Sequence, residues 1–463
     1  MTTNLSNGPI SHFKSFFENR VSSVLTPLEA LIRKQATSGI LLIAAFVIAM
    51  VLANSPWQQL SRDFFNRELG IHFGERRFTL SLVEWVSQGL MALFFLQVGL
   101  EIKREILGGK LRDPREILLI TIAALGGIIG PALLYMLISP NEILSRGWGI
   151  PTATDTAFSL AILALLSGRV SIGMMVFFTA LSIFDDVGAV FIISIFYAHS
   201  INAAALAGSG VTLAFLFLAN RAGIRSGMTY GLLGLILWIM IYKSGIHATC
   251  AGLLLALAIP ARPSISQNKF VRNIEKLLAR FVQKDGESVE MIESASKHSI
   301  TSAIEQNVSA VTTPLQMFES KLLVPITIIV LPLFALFNAG IELDPELFMQ
   351  GLLSPLTWGI VGGLVIGKPL GILVFIYACL KLKIGRLPEG ISRNEIIGIA
   401  IMSGIGFTMS IFFSFLSFPA DPALVGIAKF GIIVSSLLAA GIGTAWILLK
   451  IPKKNQIQDV ARI

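Results

Sequence analysis

Charge is what this chain has least of. Asp, Glu, Lys and Arg make up 14% of its 463 residues, where soluble domains carry about 25%. With 54% hydrophobic residues alongside, that scarcity excludes a soluble globular protein and leaves a polytopic membrane protein. Cysteine is nearly absent. Cys250 and Cys379 both lie in apolar segments, which argues against a disulfide framework. No cleavable signal peptide is expected, because the first ~35 residues hold no apolar core of 7–15 residues ahead of a small-residue cleavage site. The net charge of +8 comes mainly from Lys and Arg outside the apolar segments, so it calls for no nucleic-acid partner.

The apolar runs predict an all-α polytopic fold of about twelve spans, near 38–55, 81–102, 117–138, 149–166, 172–198, 203–220, 227–243, 245–260, 322–340, 355–381, 394–418 and 423–449. Basic residues in short loops set the orientation. Lys103, Arg104, Lys110, Arg112 and Arg115 share one side with Arg169, Arg221, Arg225, Lys381, Lys383, Arg386 and Arg393. The opposite loops carry only Arg146 and Lys243. The expected organisation is a cytoplasmic segment (1–36), spans one to eight (37–260), a cytoplasmic insert (261–321), spans nine to twelve (322–450) and a cytoplasmic tail (451–463).

Residues 56–80 depart from the charge rule, with Arg62, Arg67, Arg76 and Arg77 on the outer side. Gly70–Leu80 alternates apolar and polar residues around Gly74-Glu75, as a β-hairpin does. Its exposed edges suit pairing with a second copy, although an ordinary outer loop fits the pattern equally. In the insert, Phe270, Ile274, Leu277, Leu278 and Phe281 fall on one helical face, with Lys269, Arg272, Lys276, Arg280 and Lys284 around them. That suits a helix lying on an anionic membrane surface. The stretch near 286–311 is weakly patterned and is expected to be disordered.

The remaining intramembrane charges carry the chemistry. Asp185 and Asp186 sit mid-way along the apolar run 172–198, where a charge costs about 2.5–3.5 kcal/mol on insertion scales. Adjacent acids repel, and a chain that tolerates them handles cations, protons or both. Successive residues point about 100° apart on a helix, so the two acids cannot meet one partner equally. Lys368 lies near the middle of 355–381 and needs a carboxylate partner or must lose its proton; Asp185 is the expected partner. Pro151-Thr152-Ala153-Thr154-Asp155-Thr156 predicts an unwound stretch with free carbonyls. Its hydroxyls and carboxylate are hard oxygen ligands for a small cation, as for other hard ions. Ser403-Gly404-Ile405-Gly406-Phe407-Thr408 predicts a second interruption. Two interrupted spans in corresponding positions point to inverted repeats, here spans three to five and ten to twelve. Glu101 and Glu105, at i and i+4 on the cytoplasmic end of the second span, share a face and could attract cations or simply end a helix. His247 reads as a packed or interfacial histidine.

Together these strings resemble the NhaA family of Na+/H+ antiporters. The carriers are Ala153-Thr154-Asp155, Phe184-Asp185-Asp186-Val187-Gly188-Ala189, Leu333-Phe334-Ala335, Asn338-Ala339-Gly340, Gly367-Lys368-Pro369-Leu370-Gly371 and Gly404-Ile405-Gly406-Phe407-Thr408-Met409-Ser410. That family is a standing example of inverted-repeat architecture. The resemblance implies an electrogenic exchanger of Na+ or Li+ for H+ in the bacterial inner membrane, a secondary transporter with no cofactor and both termini cytoplasmic. Asp186 and Asp185 would be the essential acids, with Asp186 the primary cation ligand and Thr154 assisting. Asp155 would balance crossed half-helices, Lys368 would pair with Asp185, and Glu101 and Glu105 would belong to a pH-response region. The 56–80 hairpin would join a homodimer. The insert is longer than the resemblance implies, and Ser87-Gln88 stands where an Asn-Asp pair is expected. A cation-coupled symporter of related fold is the nearest rival. An intramembrane aspartyl protease is disfavoured, since its two acids must face each other across a water. A non-transporting sensor is the remaining alternative.

Overall fold

The computed structural model describes residues 39–453, apart from 74–75, 109–112, 198–200, 264, 266, 284–298, 300, 305–306, 309–310, 343–344 and 389. Helix α1 (Gly39–Ala53) is followed by α2 (Gln58–Phe65). Asn54 closes the end of α1, its amide donating to Met50 O and Ile341 O, each at 2.8 Å. Strands β1 (Glu68–Phe73) and β2 (Arg76–Ser81) pair antiparallel, from Glu68 opposite Ser81 to Phe73 opposite Arg76. The Gly74-Glu75 turn lies outside the described residues.

A capping box of Ser81 and Glu84 starts α3 (Leu82–Gly108). There follow α4 (Pro114–Ile138), a 3-10 segment (Arg146–Thr152) and α5 (Thr156–Leu165). Next come α6 (Ile172–Phe196), α7 (Ala203–Arg221), α8 (Gly227–Ser244) and α9 (Cys250–Ala258). Helix α8 stops at Gly245, whose φ of 85° is the left-handed conformation that favours glycine. The insert carries α10 (Gln267–Gln283). Helices α11 (Pro314–Asn338), α12 (Pro345–Leu353), α13 (Pro355–Lys381), α14 (Arg393–Met402), α15 (Phe407–Ser417) and α16 (Pro422–Lys450) complete the chain. Wide π turns interrupt α3 at Trp85–Leu90, α11 at Ile326–Val330 and α13 at Gly363–Gly367.

Among the described residues, eight helices are long and apolar enough to cross a membrane, or up to ten if each of two bent pairs forms one span. The chain is therefore a mostly helical, multi-pass membrane protein. Several elements differ from the sequence expectation. Helix α11 begins at Pro314 rather than near 322, because Thr313 and Gln316 form a capping box with Pro at the first turn. The expected eighth span holds only the nine-residue helix α9. Within the stretch expected to be disordered, residues 301–304 and 307–308 are helical, and Asn307 Oδ1 accepts from Asn273 Nδ2 of α10 at 2.9 Å.

The described chain forms two compact units. One comprises residues up to Gln58, Leu118–Asp185 and Asn338 onward; the other comprises Gln59–Ile117 and Asp186–Phe337. In the second unit, α3 and α9 pack so closely that a side chain on Gly252 would strike the backbone of Ala92 and Leu96. Lys103 Nζ closes the end of α9, donating to Leu257 O at 2.6 Å and Ile259 O at 2.5 Å.

In the first unit, α4 and α13 meet through glycines spaced four apart on both sides. A side chain on Gly126 or Gly130 would meet Gly371 or Gly367, and one on Gly371 would meet Gly126. This is the small-residue packing that lets membrane helices touch backbone to backbone. Gly371→Val is expected to cost at least the about 1–3 kcal/mol of an overpacked core, because backbone rather than a yielding side chain stands opposite. Thermal unfolding of the purified protein would show it as a clear fall in midpoint. Gly231→Ala, at a position with open space around it, should leave the midpoint in place; equal midpoints for both variants would refute the close approach.

Candidate functional site

Both interruptions expected from the sequence are present in the first unit. The 3-10 segment ends at Thr152, Ala153 is extended (φ −84°, ψ 146°), and Asp155 caps α5. Helix α14 ends at Met402, and α15 restarts at Phe407 with a bend of 43°. Broken helices leave backbone groups without helical partners. Here each break supplies groups to the other. Asp155 N donates to Ile405 O at 2.7 Å. Ser159 Oγ donates to Met402 O at 3.2 Å, and Ser410 Oγ donates to Ile150 O at 2.8 Å.

Helix ends carry partial charges, positive at N-termini and negative at C-termini. The positive ends converge on Asp155. Its Oδ1 accepts from Phe158 N at 2.9 Å in α5. Its Oδ2 accepts from Thr408 N at 3.0 Å and Thr408 Oγ1 at 2.5 Å in α15. Thus one carboxylate caps two helices. The negative ends find their own donors. Lys368 Nζ donates to Thr152 O at 2.5 Å, and Thr154 Oγ1 lies 2.9 Å from Ser403 O.

Lys368, fully buried, also forms an ion pair with Asp185 Oδ2 at 2.5 Å. Thr154 Oγ1 lies 2.7 Å from the same oxygen. A threonine hydroxyl has one proton, so Thr154 serves either Asp185 or Ser403 O at any moment. Asp185 Oδ1 is buried and receives no hydrogen bond among the described residues. It lies toward Gly127, where a Cβ would stand 3.5 Å away. Asp186 is also buried and follows on α6, about 100° further round.

Thr154, Asp155, Asp185 and Lys368 are therefore drawn into one polar cluster. Glu101 and Glu105 belong to the second unit, where they form a different network. Gln97 Nε2 donates to Glu101 Oε1 at 3.0 Å. Arg104 pairs with Glu105 at 3.1 Å and with Glu319. His247 Nδ1 lies 2.9 Å from Thr249 Oγ1, ahead of α9. Sequence reasoning assigned no role to Thr408, Ser403 O or Glu319. Glu319 falls within the expected insert (261–321), although the Thr313-to-Gln316 capping signature marks the earlier helix start.

Comparison with known proteins places the chain in a family. The sequence pattern described as Na+/H+ antiporter 1 matches residues 29–447. The chain is similar to the Na(+)/H(+) antiporter NhaA of Syntrophobacter fumaroxidans, with 41% identity over 434 residues, 93% of this chain and 92% of that one. It shares 38% identity over 431 residues with NhaA of Sulfurimonas denitrificans, covering 93% of this chain and 97% of that one. NhaA 1 of Saccharophagus degradans is also 38% identical over 431 residues, covering 93% of both chains. The motifs that resembled NhaA in the sequence thus have a matching whole-chain similarity, and the chain belongs to the Na+/H+ antiporter 1 family.

Proposed function

We propose that this protein exchanges Na+ or Li+ for H+ across the bacterial inner membrane, by alternating access at Asp185 and Asp186, and so serves sodium and pH homeostasis. The observation that carries this reading is the state of Asp185. One of its oxygens is held by a buried ammonium and a hydroxyl, while the other has no donor among the described residues. Leaving a buried carboxylate oxygen unsatisfied is costly, and a small cation or a proton would relieve that cost. When the Thr154 proton turns to Ser403 O, Thr154 Oγ1 offers its lone pairs to a cation beside Asp185. The cation is cargo, and no resident cofactor is invoked.

Cation binding would pull Asp185 away from Lys368 and displace protons from the Asp185, Asp186 and Lys368 set. Such closely coupled groups titrate as one system. Two protons leaving for each Na+ makes the exchange electrogenic, favoured by about 2.3 kcal/mol per charge per 100 mV. In this reading the spans number twelve, α5 and α9 crossing with their flanking non-helical chain. The moving repeats are α4 to α6 and α13 to α16, with the broken helices crossed. The termini and the 261–321 insert face the cytoplasm. The β1–β2 ribbon lies outside and joins a homodimer, and the Glu101–Glu105 region responds to cytoplasmic pH.

Everted vesicles from cells without their own Na+/H+ antiporters test the proposal. An acid-inside gradient is built, a pH dye follows it, and NaCl, LiCl or KCl is added across the neutral to alkaline range. Collapse by Na+ and Li+ is the expected result. A gradient that persists at every pH, with the protein present in the membrane, would overturn antiport.

A further inference from the structure

Helix α6 carries a third polar group beside its two acids. Ser182 is 1% exposed, and its hydroxyl has no hydrogen-bond partner among the described residues. Hydroxyls buried in a membrane helix ordinarily donate to the carbonyl one turn back. The other hydroxyls on this helix do so. Thr179 Oγ1 donates to Met175 O at 2.8 Å, and Ser194 Oγ donates to Val190 O at 2.7 Å. Ser182 alone of these forgoes that bond, so a buried hydroxyl is held away from its own backbone.

Its place on the helix gives the reason. Ser182 precedes Asp185 by three residues and Asp186 by four, the two spacings that put side chains on one face about 5–6 Å apart at Cβ. At about 100° per residue, it projects about 60° from Asp185 and about 40° from Asp186. Helical side chains lean toward the N-terminus, so both carboxylates tilt back over the turn that carries Ser182. Two buried oxygens on this face, Ser182 Oγ and Asp185 Oδ1, have no donor or acceptor among the described residues.

We infer that Ser182 is a further oxygen ligand for the transported cation, a neutral hard donor that completes the coordination begun by the paired acids and sets affinity for Na+ and Li+. The inference rests on the antiport reading for the identity of the cargo. A hydroxyl has lone pairs for a cation and a proton to give when the cation leaves. With the site protonated, the same hydroxyl donates to a carboxylate oxygen. It thereby holds one oxygen geometry through both halves of the exchange.

The test is a Na+ and Li+ titration of the purified full-length protein, read as the rise in unfolding temperature with cation concentration, beside transport in proteoliposomes. In Ser182→Ala the half-saturating cation concentration and the transport KM should both rise about five- to tenfold, the scale of one lost polar contact. Transport at saturating cation should stay near wild type, as should the melting temperature without cation. Ser182→Thr, which keeps the hydroxyl, should recover affinity. Ser182→Cys, which substitutes a softer atom, should not. Unchanged half-saturation in Ser182→Ala would overturn the inference, as would a lower maximal rate and a lower melting temperature at unchanged KM, which mark a packing role. The thermal titration needs no transport. Intact cation binding without proton exchange would therefore count against antiport and leave Ser182 standing.

Discussion

Vesicles carrying Asp186→Asn are expected to show no collapse of an acid-inside gradient on adding Na+ or Li+, at any pH. Asn preserves size and hydrogen-bonding capacity while removing the charge that holds the cation and the group that exchanges a proton. The loss should exceed about a hundredfold, equivalent to about 2.7 kcal/mol or more. The protein should still fold, because Asn is nearly the same size as Asp and the bonds made by Asp155, Asp185 and Lys368 are left in place. Robust Na+-driven proton movement in this variant, with normal amounts in the membrane, would remove Asp186 from the site. Asp185→Asn is a less clean probe, since it also strips a buried ammonium of its counter-charge.

The second large effect is on stability. Lys368→Met should lower the unfolding free energy by about 3–5 kcal/mol, the cost of stranding one member of a buried ion pair. Among the described residues, Asp185 Oδ2 would keep only Thr154, and Thr152 O would lose the Lys368 donor. Replacing both partners, as in Lys368→Met with Asp185→Leu, should restore most of the loss, because a buried pair exchanged for apolar groups is often close to neutral. Recovery should stop short by about 1–3 kcal/mol, since the Lys368 donor to Thr152 O is missing from both variants. Thermal or denaturant unfolding of the three purified proteins decides it. A Lys368→Met protein as stable as wild type, or a double variant less stable than both singles, would show that the ion pair does not hold the breaks together.

The parts of the site legible in the sequence were those that break a rule of composition. Asp185, Asp186, Asp155 and Lys368 are charges inside apolar runs, so their cost alone singled them out. The pairing of Lys368 with Asp185 followed from the same cost and is present at 2.5 Å. What stayed hidden has no such signal. Thr408 is an ordinary residue in an apolar helix until two chain breaks bring it against Asp155. Ser403 matters through its carbonyl, which every residue possesses. Ser182 stood in plain view beside the acids, yet only the missing back-bond distinguishes it from Thr179 and Ser194. The glycines at 126 and 130 form a recognisable four-residue spacing, and so do those at 367 and 371. Nothing in either string says that they face each other.

The wide turn at Gly363–Gly367 bears directly on Lys368, the next residue. A π turn absorbs one residue more than an α turn of the same span. Upstream of it α13 presents Gly359 to Tyr135 and Ser139; downstream it presents Gly367 and Gly371 to α4. Counting at 3.6 residues per turn straight through the helix therefore runs out of phase by about one residue, or about 100°. Insertions and deletions will not be equivalent along this helix. A residue lost within 363–367 can be taken up as the turn tightens to α, leaving the ammonium on its bearing. A residue lost a turn to either side swings one half of the helix against the other, and the lysine no longer points at its acid. The helix thus holds a single slot where its length is negotiable, and that slot lies next to the residue whose direction matters most.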